Sequence, residues 1–372
     1  MIASGPHRRD ELRAFLAATV GKHANQFDLD QRIPRSVIAQ LAEAGILGAQ
    51  VPRQFGGTEY DAFDFGHVCE LVGYASGSLL SLLTVHSIVA STIVRWGSAA
   101  QKERWLPLLA SGASLGAFAL SEADVGSDAR NVGTRIRREG DTFVVNGTKK
   151  WISCGQIADL FLIVGNCDGR VIGLIVEADN PGLSIAPISD MLGFRAAMLA
   201  EITLDECVVA QNQLLGSVDF GYAQVVGSVL DHGRFSIAWG CVGLAQACID
   251  ASLNYTETRQ TFGQYLKDHQ LVQKMIADMV TNTQAARLLC EDAARKRAAG
   301  DHGGIMATTM AKYFAARNAE TVAAEAVQLH GANGCSNDYP LARHYRDAKI
   351  MSIIEGSAQM QQILIAQHSY GR

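Results

Sequence analysis

Phe143-Val144-Val145-Asn146-Gly147-Thr148-Lys149-Lys150-Trp151-Ile152-Ser153 is the stretch that decides the fold, because it carries β-branched and aromatic residues in an otherwise helical chain. Asn-Gly after Phe143-Val144-Val145 is a strong hairpin signal. Short apolar runs continue on its C-terminal side at Leu160 to Val164, Val171 to Val176, Leu183 to Ala186 and Glu201 to Leu204. Their spacing predicts an antiparallel sheet or small barrel from about Phe118 to Gly216.

Both flanks read as helix. Between Arg8 and Gly116 apolar residues recur at three and four, as in Leu12, Phe15 and Leu16 or Val37, Ile38 and Leu41. Breaks at Gly45, at Pro52 to Gly57 and at Gly97 divide this part into four to six helices. Beyond Gly221 long helical patterns run over 221–259, 268–297, 304–329, 340–355 and 357–367, lengths that suggest a four-helix bundle. The expected organisation is an N-terminal helical domain (1–117), a central antiparallel β-barrel or sheet domain (118–220) and a C-terminal four-helix bundle (221–372).

The chain has 372 residues, 48% hydrophobic and 19% charged, with a net charge of -5. Lys and Arg are scattered, which disfavours nucleic-acid binding. The eight cysteines form no CxxC pair and mostly lie in apolar runs, so they read as reduced, buried thiols rather than disulfides or metal ligands. No secretory signal or membrane-spanning apolar run is evident. The expectation is a cytoplasmic protein without a metal.

Three stretches carry candidate chemistry. In Tyr345-Arg346-Asp347-Ala348-Lys349-Ile350-Met351-Ser352-Ile353-Ile354-Glu355-Gly356-Ser357-Ala358-Gln359-Met360, a helix ends, Gly356 breaks the chain and Ser357 caps the next helix. Glu355 sits at that joint beside Ile353 and Ile354. A carboxyl among apolar neighbours has a raised pKa, which suits a general base, although most glutamates are simply solvated charges. Phe118-Ala119-Leu120-Ser121-Glu122-Ala123-Asp124-Val125-Gly126-Ser127-Asp128 is either an ordinary turn or a ligand loop offering N–H and hydroxyl groups. The Trp151 of the opening stretch, taken alone, packs in the core of a hairpin.

Taken in order, these stretches resemble the acyl-CoA dehydrogenase family of flavoproteins over nearly the whole chain. Further matching pieces are Ala44-Gly45-Ile46-Leu47-Gly48, Gln101-Lys102-Glu103-Arg104-Trp105-Leu106-Pro107, Leu192-Gly193-Phe194-Arg195, Arg259-Gln260-Thr261-Phe262-Gly263 and Gln328-Leu329-His330-Gly331-Ala332-Asn333-Gly334. The resemblance implies FAD between the β domain and the C-terminal bundle, and a homodimer or homotetramer. It implies that Phe118, Leu120 and Ser121 line the flavin ring and that Trp151, Ile152 and Ser153 cover its other side. Arg259 and Phe262 would reach the FAD of a neighbouring subunit, a guanidinium fork suiting diphosphate oxygens. Gln270, Gln328 and Gly331 would lie near its adenosine and phosphates, with Ser357 and Gln359 by the adenine half. Ser127, Asp231, Arg234 and Gly356 would line the route of an acyl thioester, and Glu355 would be the base. A separate flavoprotein would accept the electrons.

The chain departs from the family pattern at Ala123 and Asp124, at Ala332, and at Ile354, where many members carry an aromatic. Trp239 replaces a small or unbranched residue and either packs or shortens the acyl pocket. The Ser236 to Gly243 run, with Asp268-His269-Gln270-Leu271-Val272 and the Arg346 to Ser357 stretch, looks like the subgroup that oxidises short polar acyl groups on acyl carrier protein for hydroxymalonyl or methoxymalonyl polyketide extender units. Alternatives are a short-chain acyl-CoA dehydrogenase of catabolism, a flavin oxidase or monooxygenase on the same fold, and a scaffold that has lost its flavin.

Overall fold

The computed structural model describes residues 6–371, with side chains from Arg9 onward. Six helices come first: α1 (Pro6–Thr19), α2 (Ala24–Asp30), α3 (Arg35–Glu43), α4 (Ala62–Ala75), α5 (Gly77–Trp96) and α6 (Ala99–Ala110). Their starts follow from side-chain caps. Ser76 accepts from Leu79 N at the head of α5, and Ser98 with Gln101 forms a capping box on α6. The break expected at Gly45 is a left-handed residue, φ +79°.

Eight strands follow: β1 (Gly116–Ala119), β2 (Arg135–Glu139), β3 (Thr142–Ile152), β4 (Leu160–Cys167), β5 (Arg170–Glu177), β6 (Leu183–Pro187), β7 (Ala200–Ala210) and β8 (Leu214–Leu215). They form one open sheet in the order β6-β7-β3-β2-β4-β5-β8, with β1 alongside β4. Two expectations are corrected here. The sheet is not closed into a barrel, and it is not wholly antiparallel, since β1 and β2 both run parallel to β4. Asn146-Gly147 is not a hairpin turn either. β3 runs straight through it with a register shift against β7, and the Asn146 amide is held across the bulge by Glu206, donating to its carboxylate and accepting its N–H at 2.8 Å. Gly147 is at φ +152°, a bulge geometry that glycine supplies, and the turn itself falls at Gly140-Asp141.

The C-terminal part opens with a π-helical turn, Tyr222–Val226, that runs into α7 (Gly227–Thr258). A small hairpin, β9 (Gln260–Thr261) and β10 (Gln264–Tyr265), precedes α8 (Gln270–Ala298), α9 (Gly304–His330), α10 (Leu341–Met351) and α11 (Ala358–Ser369). Helices α7 to α10 form the expected bundle, and α11 lies on α9. The helix expected over 340–355 stops at Met351, which frees Ser352 to Gly356 to turn a corner.

Helix α5 ties the three parts together. It packs on α4, α6, α7 and β1, and nearly every residue of it is buried. Two helices, Gly77–Trp96 and Tyr222–Thr258, are apolar enough to cross a membrane by length and composition, but 89% and 78% of their apolar windows are buried inside the fold.

Candidate active site

The corner between α10 and α11 places Glu355 and Gly356 at φ +54° and +87°, two left-handed residues in succession. Glycine adopts this freely, whereas glutamate pays of the order of 1 kcal/mol or more, so the surroundings must hold it. Two donors do so. Lys312 Nζ and Gln361 Nε2 each reach the Gly356 carbonyl at 2.8 Å. Ser357 Oγ then accepts from Met360 N and starts α11, as the sequence suggests.

The Glu355 carboxyl is turned inward onto α7, against the Cα of Gly233, where any Cβ would overlap Oε2. Burial pushes its pKa up from 4.5 to about 7, with Lys312 and Arg234 pulling it partly back. The cause differs from the one read in the sequence. Ile353 is 55% exposed, and the desolvation comes from α7 and α9 rather than from that neighbour. Lys312 is itself fully buried in α9, and desolvation lowers it to about 8. A carboxyl that ionises near neutrality beside a cation can accept a proton and hold it.

Arg234 lies over Gly356, its Nε 3.4 Å from where a Cβ there would stand. Burial lowers its pKa, and Asp231 and Glu355 oppose that. Asp231 is paired with Arg297 at 2.5 Å, and the Arg297 guanidinium stacks on the Phe235 ring at 4.6 Å. Asp231 Oδ1 and Arg234 Nε are buried without partners among the described residues. Ser127 is exposed in the loop between β1 and β2.

On the sheet side, Phe118 ends β1, and Leu120 and Ser121 open the following loop. Lys150 N donates to Ser121 O at 2.9 Å. A residue that the sequence reading passed over anchors the loop. Glu122 accepts from Gly133 N, Thr134 N, Thr134 Oγ1 and Lys149 Nζ at 2.6–2.9 Å, while Lys149 also reaches Leu120 O at 3.1 Å. Burial alone would raise the Glu122 carboxyl, but Lys149, Thr134 and the Gly133 N–H hold it below its usual value, and burial brings Lys149 to about 8.

Trp151 is not a core residue. A second register shift in β3, between Lys149 and Ile152, puts it at φ +64° with 47% of its surface exposed. Ile152 is buried, and Ser153 Oγ accepts from Ser81 on α5 at 2.9 Å. Trp239, by contrast, packs fully buried against α4, its ring 4.8 Å from His67 and over Gly66. The packing alternative for Trp239 therefore holds.

The structure thus brings together Glu355, Gly356 and Arg234 on one side, and Phe118, Leu120, Ser121, Ile152 and Ser153 on the other. It leaves the remaining candidates apart. Arg259 ends α7, and Phe262 tips the β9–β10 hairpin with 97% exposure at φ +51°. Gln270 heads α8, Gln328 and Gly331 close α9, and Gln359 lies in the first turn of α11, all exposed. Gly233, Lys312, Gln361, Glu122 and Lys149 were missed. A lone lysine inside the apolar run Met310-Ala311-Lys312-Tyr313-Phe314 was the one visible signal.

A half-exposed Trp at a strained position and a braced Gly/Ser loop suit a large aromatic cofactor, while Arg259 and the exposed Phe262 stand apart from them at the end of α7. Three family models match successive parts of the chain: acyl-CoA dehydrogenase N-terminal domain over residues 7–113, middle domain over 117–207 and C-terminal domain over 221–370. The chain belongs to the acyl-CoA dehydrogenase family, oxidoreductases acting on CH–CH bonds with FAD as cofactor. It is 36% identical over 367 residues to the probable acyl-CoA dehydrogenase YngJ of Bacillus subtilis, covering 96% of each chain. It is 33% identical to the short/branched chain specific acyl-CoA dehydrogenase of Rattus norvegicus, over 96% of this chain and 83% of that one. Among solved structures, FkbI, for biosynthesis of the methoxymalonyl extender unit of the polyketide FK520, is 36% identical with a TM-score of 0.91, covering 97% and 99%.

Proposed function

We propose that this chain dehydrogenates a short, polar acyl group carried as a thioester on an acyl carrier protein, with Glu355 as the base. The observation that carries the chemistry is the inward carboxyl of Glu355, brought to about 7 by burial and held at its corner by Lys312 and Gln361. The likeness to FkbI supports the carrier-bound substrate.

In this reading Glu355 Oε2 takes the proton α to the thioester carbonyl. Bound FAD supplies the acceptor for the hydride leaving the β-carbon. The backbone N–H of Glu355 makes no hydrogen bond among the described residues, and it is offered to the thioester oxygen where enolate charge develops. Phe118, Leu120 and Ser121 would hold one side of the flavin ring, and Trp151, Ile152 and Ser153 the other. Arg234 and Asp231 flank the thioester route, which Ser127 joins from the loop. The exposed Arg259 and Phe262 suit contact with FAD of a second copy in a homo-oligomer, while Gln270, Gln328, Gly331, Ser357 and Gln359 would serve its adenosine half. A separate flavoprotein would take up the electrons. Seven of the eight cysteines are buried and unpaired, which fits a reducing cytoplasm.

A second reading, a short-chain acyl-CoA dehydrogenase, is favoured by relatives such as the Rattus norvegicus enzyme. Anaerobic bleaching of the flavin decides between them. A polar C3 acyl group on carrier protein should bleach it faster than butyryl-CoA, and rapid bleaching by butyryl-CoA would remove the carrier reading. Glu355→Gln should keep FAD bound and lose bleaching by either.

A further inference from the structure

Arg130 stands on the turn that follows Ser127, outside the group formed by Glu355, Gly356 and Arg234, and its side chain is exposed. Its guanidinium lies over the Tyr222 ring, 4.8 Å from the ring centre. Tyr222 opens the π-helical turn ahead of α7 and is close enough to Arg234 for the two to interact electrostatically, as Arg234 does with Glu355. Glu355, Arg234, Tyr222 and Arg130 are thus successive neighbours, leading from the inward carboxyl to a cation at the surface.

We infer that Arg130, mounted on Tyr222, binds the phosphate at the far end of the pantetheine arm, the group that coenzyme A and the prosthetic arm of a carrier protein have in common. This rests on the reading above that the thioester passes Arg234 to reach Glu355, and it assigns the residue that holds the outer end of the same arm.

Arg130 is uncommitted, which sets it apart from the cations around it. Arg297 is paired with Asp231, and Arg170 with Asp219. Arg130 has neither an ion pair nor a hydrogen bond from its side chain among the described residues. Asp128, the carboxylate nearest to it in the chain, accepts from Asn131 Nδ2 at 2.6 Å instead. An arginine without a carboxylate keeps its whole charge for an incoming anion.

The mounting is firm although the side chain is exposed. Ala129 and Val132, on either side of Arg130, are 6% and 4% exposed and pack in one cluster with Leu120, Val226 and Tyr222. Asn131 N donates to Asp128 O at 3.0 Å and closes the turn. A guanidinium placed over an aromatic ring is restrained by it and still has its in-plane N–H groups free, so a phosphate can meet two donors at once. A lysine on a loose loop would offer only a point charge.

The test presents one short acyl group on four arms, pantetheine, 4′-phosphopantetheine, coenzyme A and a carrier protein, and measures anaerobic bleaching of the FAD-loaded enzyme. Each phosphate-bearing thioester should exceed the pantetheine thioester about tenfold or more in kcat/KM, and raising the ionic strength should shrink that ratio. Arg130→Ala should bring the ratio close to one for all three phosphate-bearing arms, and Arg130→Glu should take it below one, a reversal that a mere disturbance of the loop would not produce. FAD content on purification should be the same in both variants. Equal turnover of the pantetheine and phosphopantetheine thioesters by the wild type, or a ratio that both variants leave unchanged, overturns the phosphate site and leaves the dehydrogenase reading standing. Collapse of the ratio with coenzyme A alone would assign Arg130 to the second phosphate of coenzyme A, and loss of FAD would assign it to the cofactor; either overturns the inference. No bleaching by any thioester overturns the dehydrogenase reading and the phosphate site together.

Discussion

Gly233→Ala separates catalysis from stability. The new Cβ would overlap Glu355 Oε2 and stand 3.2 Å from Glu355 Cγ, so the carboxyl has to retreat by about 1 Å or more. The obstructed group is the end of a flexible side chain, which gives way without disturbing either backbone. A displacement of about 1 Å in a reacting group costs ~100-fold in rate, because the near-attack geometry is lost. Stability moves the other way. Gly233 lies inside α7, and an alanine in a helix is favoured over glycine by about 0.5–1 kcal/mol. The assay pairs single-turnover flavin reduction with thermal melting of the FAD-loaded protein. The expected result is reduction slowed about 100-fold with an unchanged or higher melting temperature. Reduction within about threefold of the wild type would refute the placement of Glu355 against α7, and a collapse in melting temperature would show that Gly233 serves helix packing instead.

Four more predictions follow from the structure. With Glu355 raised to about 7, kcat/KM should rise with pH up to about 7 and level off above it, and a profile flat from pH 5 to 8 would contradict its role as base. The same raised value means that stability from this group is present below about 4.5 and is lost as pH climbs through about 7, so Glu355→Gln should gain up to about 3 kcal/mol relative to the wild type between pH 5 and 8, read by denaturant melts. Lys312→Met removes both a cation that holds Glu355 down and a donor to Gly356, so the midpoint of the pH profile should move above 7 while the maximal rate falls; an unmoved midpoint would separate Lys312 from the base. Glu122→Gln strands Lys149, which is fully buried, and should cost about 3 kcal/mol and lower FAD occupancy on purification.

What could be read in the sequence was what is local. The left-handed breaks at Gly45 and Gly356 and the cap at Ser357 depend on neighbours a few residues away, and each stands where it was expected. Asn146-Gly147 failed because the same dipeptide serves a tight turn and a bulge, and the choice was made by β7, some sixty positions on, through Glu206. The end of α10 was placed four residues late because nothing in Ser352-Ile353-Ile354-Glu355 opposes a helix. The corner is imposed by Lys312 and Gln361 acting on the Gly356 carbonyl. Glu122, Lys149 and Gly233 stayed hidden for the same reason, since their meaning lies in partners that only the fold supplies. Taken alone, Trp151 reads as core, because burial is a property of the strand's register, and the shift before Ile152 reverses the face.

The position of α5 also bears on how the chain is made. Its apolar 18-residue window has a mean hydropathy of 1.7, and a large part of its cover comes from α7 and the sheet. A ribosome delivers Gly77–Trp96 long before Gly227 exists. Until α7 arrives, the nascent chain presents a segment that by composition could be mistaken for a membrane anchor, which makes it a natural ligand for chaperones. A transcript cut short before α7 should therefore yield aggregates or degradation products rather than a stable two-domain fragment.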